Sequence, residues 1–267
     1  RNLPTRNINA LAAITAGLAS ADEGGAITVR GSRSDATNYY VVGIRVQGIL
    51  IPESEIDLML VITGGVEAQY GDVTGGIISI TTKGPSRKFS GGVEAETSKY
   101  LDPYSNSLIG INLTGPILKN KRGESLIGYR FSGRWTHRVD DDPPGIPVYR
   151  VTDENLKALE ADPILVADGN PFVAADFMKA DDVNVLKARP FETSTRYDVT
   201  AKIDARISKQ VDISFTGSLT DNENQFTPGG WRVYNSHNNP TAYSGTKRGI
   251  VRLRHRLGGA PGTDEKK

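Results

Sequence analysis

Residues 196–207 alternate without exception between polar and apolar side chains. A period of two is the period of a β-strand, because successive side chains of a strand point to opposite faces. One face is formed by Tyr197, Val199, Ala201, Ile203, Ala205 and Ile207, and the other by Arg196, Asp198, Thr200, Lys202, Asp204 and Arg206. The segment therefore predicts a long strand with one apolar face and one polar face.

The same alternation recurs elsewhere and predicts five further strands. It is clear in residues 127–135 and 211–220, and weaker in residues 89–97, 107–117 and 250–257. Together with 196–207 these segments make six strands that follow one another along the chain. We expect them to form an antiparallel meander.

The predicted connections between these strands are of two kinds. Compact turns are expected at residues 118–125 (LKNKRGES) and 208–210, and long polar loops near 139–190 and 221–246. The loop near 139–190 is expected to contain short helices at 153–161 and 174–180. In a meander the long loops share one end of the sheet and the tight turns share the other. Membrane β-barrels show this asymmetry.

Composition narrows the class of protein. None of the 267 residues is cysteine, which excludes disulfide scaffolds, iron–sulfur clusters and cysteine nucleophiles. The 32 basic and 31 acidic side chains leave a formal charge of +1, so we expect no nucleic-acid partner. No stretch reaches the roughly 18 apolar residues of a membrane-spanning helix, but a membrane-spanning strand needs only about 9 to 11 alternating residues. The start of the chain has no secretory leader, and we interpret the chain as a mature fragment.

Residues 1–86 lack the long period-two strands of the rest of the chain, and their short helical and strand patterns predict a small mixed α/β domain. Ile8, Leu11 and Ile14 have helical spacing, and Pro52 is expected to start a second short helix. Strands are predicted at residues 26–33, at 39–46 with a break at Gly43, at 58–62 with a buried character, and at 77–82.

Two interpretations fit the alternating strands. A soluble sandwich buries its apolar face against a second sheet, whereas a membrane barrel turns that face to lipid. The length of the strands, the separation of loop types, and Trp135 with His137 at the expected membrane interface favour the barrel. Six strands cannot close such a barrel, because the smallest have about eight. Most of the barrel would then lie outside this chain.

The N-terminal residues contain an ordered series of motifs: RNLPTRNINALAAITAGLA, ITVRGSR, YYVVGIRVQG and IPESEIDLMLVITGGVEAQYGDVTGGIISITTKGPS. This series resembles the plug domain of TonB-dependent outer-membrane receptors, most closely the Oar-like and SusC-like branches. INLTGPILKN, NVLKARP and NNPTAYSGTKRGIVRLRHRLG also look like the first barrel strands of that family.

The resemblance implies an α+β plug domain, residues 1–86, followed by strands of an antiparallel transmembrane β-barrel, residues 87–267, within a barrel of about 22 strands. Such a receptor lies in the bacterial outer membrane, in contact with its lipid. It imports an extracellular ligand with force relayed by TonB and its inner-membrane motor. A SusC-like member would also have a surface lipoprotein lid. A receptor-like subunit that plugs a larger assembly without transport is the alternative, and a soluble β-sandwich enzyme is a third.

The resemblance also implies which residues act. The loop at the outer apex of the plug contacts ligand in this family, and here its polar members are Ser32, Arg33, Ser34, Asp35, Thr37 and Asn38. An ordinary solvated turn is the alternative interpretation of this loop. Arg30 matches a plug arginine that pairs with barrel glutamates in many relatives. Val42 stands where relatives commonly have aspartate, and Thr63 and Gly64 stand where many siderophore receptors have a second plug arginine, which argues against siderophore import.

Catalytic and metal-binding patterns are not found in the sequence. His137, His237 and His255 lack metal-ligand spacing. Asp140, Asp141 and Asp142, or Asp221 with Glu223, could hold calcium, but without the ligand pattern of a calcium loop. No nucleophile elbow or phosphate-binding loop is present. We therefore expect no enzyme, no metal and no cofactor.

Overall fold

The computed structural model describes residues 8–14, 17–20, 26–46, 56–67, 70–71, 73–84, 88–140 and 144–256. Its N-terminal part, which ends at Gly84, contains one helix and six strands: α1 (Ile8–Ala13), β1 (Leu18–Ser20), β2 (Ile27–Val29), β3 (Asn38–Val41), β4 (Ile44–Val46), β5 (Ile56–Ile62) and β6 (Ile77–Thr82). The predicted helix around Ile8 is confirmed. The helix predicted from Pro52 lies outside the described residues.

These strands form two sheets around one apolar core. β1 pairs with β2, and the other four strands have the order β4-β3-β6-β5, in which β3 and β6 are parallel. The buried core consists of Ala12, Ile27, Val29, Val41, Ile78 and Ile80. We call this unit, residues 8–84, the N-terminal unit.

The break predicted at Gly43 is a two-residue hairpin turn between β3 and β4. Val42 and Gly43 have φ values of 53° and 83°, so both central residues are left-handed. Turns of this type normally have asparagine or aspartate followed by glycine, because a β-branched residue is strained at positive φ. Val42 therefore departs from both the family pattern and the local conformational preference.

The strand predicted at 58–62 is present as β5, but its buried character is wrong. Leu58 and Leu60 are exposed, and Met59 packs against the core. β5 is the edge strand of its sheet, so the apolar run covers the core with one face only.

The six alternating segments form one antiparallel sheet. Its strands are β7 (Ser90–Thr97), β8 (Ser107–Lys119), β9 (Ser125–Arg138), β14 (Ser194–Arg206), β15 (Val211–Gln225) and β16 (Thr241–His255), where β10 to β13 belong to the loop between β9 and β14. The strand order is β7-β8-β9-β14-β15-β16. The predicted meander is confirmed as an open sheet with β7 and β16 at its edges.

Turn lengths follow the predicted asymmetry. Residues 120–124 and 207–210 make the tight turns, and residues 139–193 and 226–240 make the long loops at the other end. The second loop is shorter than the predicted 221–246, because Gln225 already pairs with Thr241. Backbone pairing does not depend on side-chain polarity, so the ladder continues beyond the alternating residues.

The loop of residues 139–193 has structure of its own. It contains α2 (Asp153–Ala161) and the strands β10 (Val148–Val151), β11 (Ile164–Ala167), β12 (Asn170–Val173) and β13 (Val183–Leu186). β10 pairs with β13 and β11 with β12. The predicted α2 is confirmed, and Thr152 caps it by accepting a 3.2 Å hydrogen bond from the amide of Asn155. Within the described residues, no helix is long and apolar enough to cross a membrane.

The shorter connection between β7 and β8 is ordered by Asp102. Its Oδ1 accepts hydrogen bonds of 2.9 and 3.0 Å from the amides of Tyr104 and Ser105. A hydrogen bond with the Ser98 side chain, together with these two amides, holds the pKa of Asp102 below its usual value.

Candidate functional site

The six-stranded sheet exposes its apolar face. Tyr197 on β14 and Phe215 on β15 are each 49% exposed, and Ile203 is exposed as well. The exposed apolar positions of the sheet include Val93, Ile109, Ile111, Ile213, Leu219, Val251 and Leu253. This surface runs across every strand except β9, whose apolar residues are half-buried.

The polar face of the same sheet is its covered face. Thr200 is 4% exposed and Lys202 is 8% exposed, and Asp198 is also buried. Asp198 accepts hydrogen bonds from Thr220 Oγ1 at 2.9 Å and from the guanidinium of Arg196 at 2.9 Å. A sheet of a soluble protein normally has the opposite arrangement, with its apolar face covered.

The N-terminal unit is attached to this polar face at the end of β6. Lys202 Nζ donates hydrogen bonds to Thr82 Oγ1 and to the Lys83 carbonyl oxygen, both at 3.1 Å. Arg130 on β9 donates to the Gly84 carbonyl oxygen at 3.4 Å. Two cations of the sheet thus bind the residues that lead out of the N-terminal unit.

The predicted apex loop begins with a turn in left-handed backbone. Arg30 and Gly31 have φ values of 50° and 78°. The Ser32 amide donates to the Val29 carbonyl oxygen at 2.9 Å, and Ser32 Oγ accepts from the Val29 amide at 3.2 Å. A single 3₁₀ turn follows at Ser34–Ala36. The loop is therefore held in one compact shape.

The predicted ligand residues of the apex loop differ in exposure. Arg33, Ser34 and Asp35 are exposed and Ser32 is half-buried. Thr37 and Asn38 are buried. Their hydrogen bonds are internal, because Thr37 Oγ1 donates to the Ile27 carbonyl at 2.9 Å and Asn38 Oδ1 accepts from Arg45 at 2.8 Å.

Arg30 lies within the N-terminal unit. Its side chain runs past Gly17, and a Cβ placed on Gly64 would lie 3.1 Å from its Nη1 atom. Gly64 is one of the two positions where many siderophore receptors have the second arginine. Glycine at this position leaves room for the guanidinium of Arg30. The barrel glutamates that the resemblance assigns to Arg30 would lie in strands outside this chain, and their pairing stays a prediction.

A buried ion cluster closes the base of the long outer loop. Arg189 Nη2 lies 2.9 Å from Asp140 Oδ1, and its Nε lies 2.8 Å from Glu192 Oε2. Both carboxylates are buried. Asp140 therefore already has a cationic partner in Arg189. Asp141 and Asp142 lie outside the described residues.

The two long loops pack against each other at the same end of the sheet. Tyr234 Oη donates to the Ala175 carbonyl oxygen at 3.0 Å, and Asn239 Nδ2 donates to the Phe191 carbonyl oxygen at 2.8 Å.

Within the described part of the chain, no group of three or more histidine, aspartate or glutamate side chains could hold a metal ion.

Sequence reasoning missed Lys202 and Arg130 as contacts of the N-terminal unit. Lys202 was assigned only to the polar face of its strand, and Arg130 only to the strand predicted at 127–135. Alternation indicates which face a residue occupies but not which distant segment packs there, and Lys202 and Thr82 are 120 residues apart.

Comparison with solved structures identifies the fold. The ferric enterobactin receptor of Pseudomonas aeruginosa, in complex with BCV-L6, superposes with a TM-score of 0.60 over 96% of this chain and 37% of its own, at 15% identity. The alcaligin outer-membrane receptor of Bordetella pertussis gives 0.56 over 94% and 33%, at 12% identity. The siderophore receptor PirA of P. aeruginosa gives 0.50 over 83% and 32%, at 16% identity.

These similarities show the fold, and they agree with the resemblance to TonB-dependent receptors. The chain spans about a third of the length of each of these receptors. A scan against protein-family models and a search of curated proteins both find no match.

Proposed function

We propose that this chain is the plug domain and the first six barrel strands of a TonB-dependent receptor that imports a ligand across the bacterial outer membrane. The plug corresponds to residues 1–86 and the barrel strands to residues 87–267. The observation that carries the proposal is the reversed polarity of the six-stranded sheet. Its exposed apolar face suits lipid, and its covered polar face suits the lumen of a plugged barrel.

The energetic argument favours lipid over water. Each large apolar side chain gains roughly 1.5 to 3 kcal/mol when it is fully transferred out of water. A row such as Ile203, Phe215 and Val251 leaves that gain unrealised in water. A soluble sandwich would cover this row with a second sheet, but the described residues cover the other face instead. A soluble β-sandwich enzyme is therefore disfavoured.

Ligand binding would use the exposed half of the apex loop. Ser32, Arg33, Ser34 and Asp35 offer hydroxyl, guanidinium and carboxylate groups on a loop of fixed shape. A ligand shifts the plug only if it binds one plug position more tightly than another. A displacement that carries the end of β6 away from β14 would break the hydrogen bonds of Lys202 to Thr82 and Lys83.

Partners follow from the proposed receptor. TonB with its inner-membrane motor would supply the force, outer-membrane lipid would surround the barrel, and a surface lipoprotein lid would be present in a SusC-like arrangement. Two receptors of similar fold are named for ferric enterobactin and alcaligin. Thr63 and Gly64 replace the second arginine of many siderophore receptors, so the proposal does not extend to a siderophore.

Adjacent residues of β15 provide a direct test. Leu219 lies on the apolar face and Ser218 on the polar face, and this part of the protein contains no cysteine. We would label L219C and S218C variants of the full-length receptor with a fluorophore and reconstitute each into vesicles of brominated lipid. Strong quenching at position 219 with little at 218 is expected. Equal quenching at both positions would contradict the barrel.

Binding to TonB distinguishes a transporter from a subunit that only plugs a larger assembly. Immobilised periplasmic domain of TonB should retain the full-length receptor if the protein is a transporter. Failure to bind, in a receptor that shows lipid quenching at position 219, would favour the alternative of a non-transporting subunit in a larger outer-membrane assembly.

A further inference from the structure

A cavity of about 270 Å³ lies between the end of β6 and the tight-turn end of the sheet. Thr81, Thr82 and Gly84 line it on the side of the N-terminal unit. The opposite wall comes from β9, β14, β15 and β16 and is strongly basic. Its charged side chains are Lys202, Arg206, Arg252, Arg254, Arg256, Asp204 and Asp212.

Both carboxylates of the cavity already have cationic partners. Asp212 Oδ2 lies 2.7 Å from Arg256 Nη2, and its Oδ1 lies 3.7 Å from Arg206 Nε. Asp204 Oδ1 lies 3.4 Å from Lys202 Nζ. Five cations against two carboxylates leave a surplus of three positive charges.

The surplus is concentrated at Arg252 and Arg254 on β16. In register, Arg252 stands opposite Ser214 and Arg254 opposite Asp212, but Asp212 pairs with Arg256 instead. Neither Arg252 nor Arg254 has an ion pair or a side-chain hydrogen bond with any residue that the structure describes. They point to the same face two residues apart, so two like charges stand side by side on the cavity wall.

We propose that this cavity is a binding site for an oxyanion, a phosphate or carboxylate group, held by the guanidiniums of Arg252 and Arg254. A guanidinium presents paired donors in a plane that matches the oxygens of such groups. An anion between the two arginines replaces their mutual repulsion with two attractions. The cavity has room for the anionic group of a larger molecule, and Thr81 and Thr82 add hydroxyls on the opposite wall.

The inference rests on the proposed function in one respect, namely that the polar face borders an aqueous lumen. In that setting the site lies deep in the barrel, at the end away from the long loops. An anionic cargo that passes between plug and wall would meet it after leaving the apex loop.

The test uses the full-length receptor in a non-ionic detergent at low ionic strength. Inorganic phosphate and acetate are titrated separately by calorimetry, so that phosphate and carboxylate recognition are distinguished. We expect saturable binding of at least one anion by the unmodified protein. The R252Q/R254Q variant should bind it at least 10-fold more weakly, and binding should weaken as sodium chloride is added.

Arg248 supplies the matched control. It lies on the same strand and the same face as Arg252 but does not line the cavity, so R248Q should bind like the unmodified protein. Heat-modifiable migration on a gel shows that each variant is folded. If the double variant does not fold, the single variants R252Q and R254Q take its place, and each should lower the affinity.

Two results would overturn the inference. One is that the unmodified receptor binds neither anion, as expected if acidic residues of a neighbouring strand neutralise the two arginines. The other is equal affinity in the unmodified and R252Q/R254Q proteins. Lipid quenching at position 219 together with either result would leave the proposed receptor standing and remove only this site.

Discussion

Replacing Ala201 with lysine should destabilise the full-length receptor more than the same charge placed at the end of the strand. Ala201 lies on the exposed apolar face of β14, between Tyr197 and Ile207. Those two residues are separated by ten positions, about 33 Å along a strand at 3.3 Å per residue. A tilt of about 40° reduces this to about 25 Å along the membrane normal, the height of the apolar band of a membrane barrel.

The free-energy cost of a lysine on the lipid-facing side of a strand depends on its depth in the membrane. A lysine near the middle of the band costs about 2 to 4 kcal/mol, and a lysine at its edge about 0 to 1 kcal/mol. A201K should therefore lose about 2 to 3 kcal/mol relative to I207K, which is roughly a 30- to 150-fold shift of the unfolding equilibrium. A201M adds a comparable chain length without charge and should lie close to the unmodified protein.

The assay is guanidinium-induced unfolding of the receptor in phospholipid vesicles, followed by tryptophan fluorescence. The midpoints of A201K, I207K and A201M are compared at equal slope. Equal destabilisation by A201K and I207K would refute the reasoning, because the apolar face would then not lie in a lipid layer of varying depth.

Three further predictions concern local structure. K202M removes the donor to Thr82, so amides at the end of β6 should exchange with solvent at least 10-fold faster. Unchanged exchange would show that Lys202 does not hold the N-terminal unit against the sheet. Because the pKa of Asp102 is lowered, the connection between β7 and β8 should be fully ordered above about pH 4 and should lose order as the pH falls through that lowered pKa. Hydrogen exchange of the Tyr104 amide should report this loss, and D102N should abolish the pH dependence. R189M leaves two buried carboxylates without their cation, which should destabilise the closed base of the long outer loop by about 3 to 5 kcal/mol. Limited proteolysis of this loop should then be much faster.

Much of the strand pattern could be predicted from the sequence, because a period of two is visible in single residues. The segment 196–207 predicted β14, and the segment 153–161 predicted α2. Alternation alone does not give the direction of the apolar face, since a soluble sheet and a membrane barrel have the same alternation. The separation of loop types favoured the barrel, and the exposure of Tyr197 with the burial of Thr200 agrees with that preference.

The candidate site was predicted less well, for a reason that concerns contacts rather than residue types. Thr37 and Asn38 have polar side chains suited to a ligand, but they serve the carbonyl of Ile27 and the guanidinium of Arg45. Local sequence does not reveal that a polar group will be used internally. Arg252 and Arg254 belong to a segment that the sequence predicted only as a strand, and their cavity depends on β6 together with four strands of the six-stranded sheet.

The pairing pattern of the two sheets has a consequence for how the protein is made. In the six-stranded sheet β7, β8 and β9 form one group of hairpins and β14, β15 and β16 form another, and each group needs mainly local loop closure. Two pairings require longer closures with a larger entropic cost. The pairing of β9 with β14 joins Arg138 to Ser194, which are 56 positions apart, and the parallel pair of β3 and β6 joins Asn38 to Ile77, which are 39 positions apart. Contacts between sequence-near segments generally form faster than distant ones. The two groups of hairpins can accordingly form first, whereas the joining of β9 to β14 must wait for the long outer loop and the parallel centre of the N-terminal unit for the segment between β3 and β6.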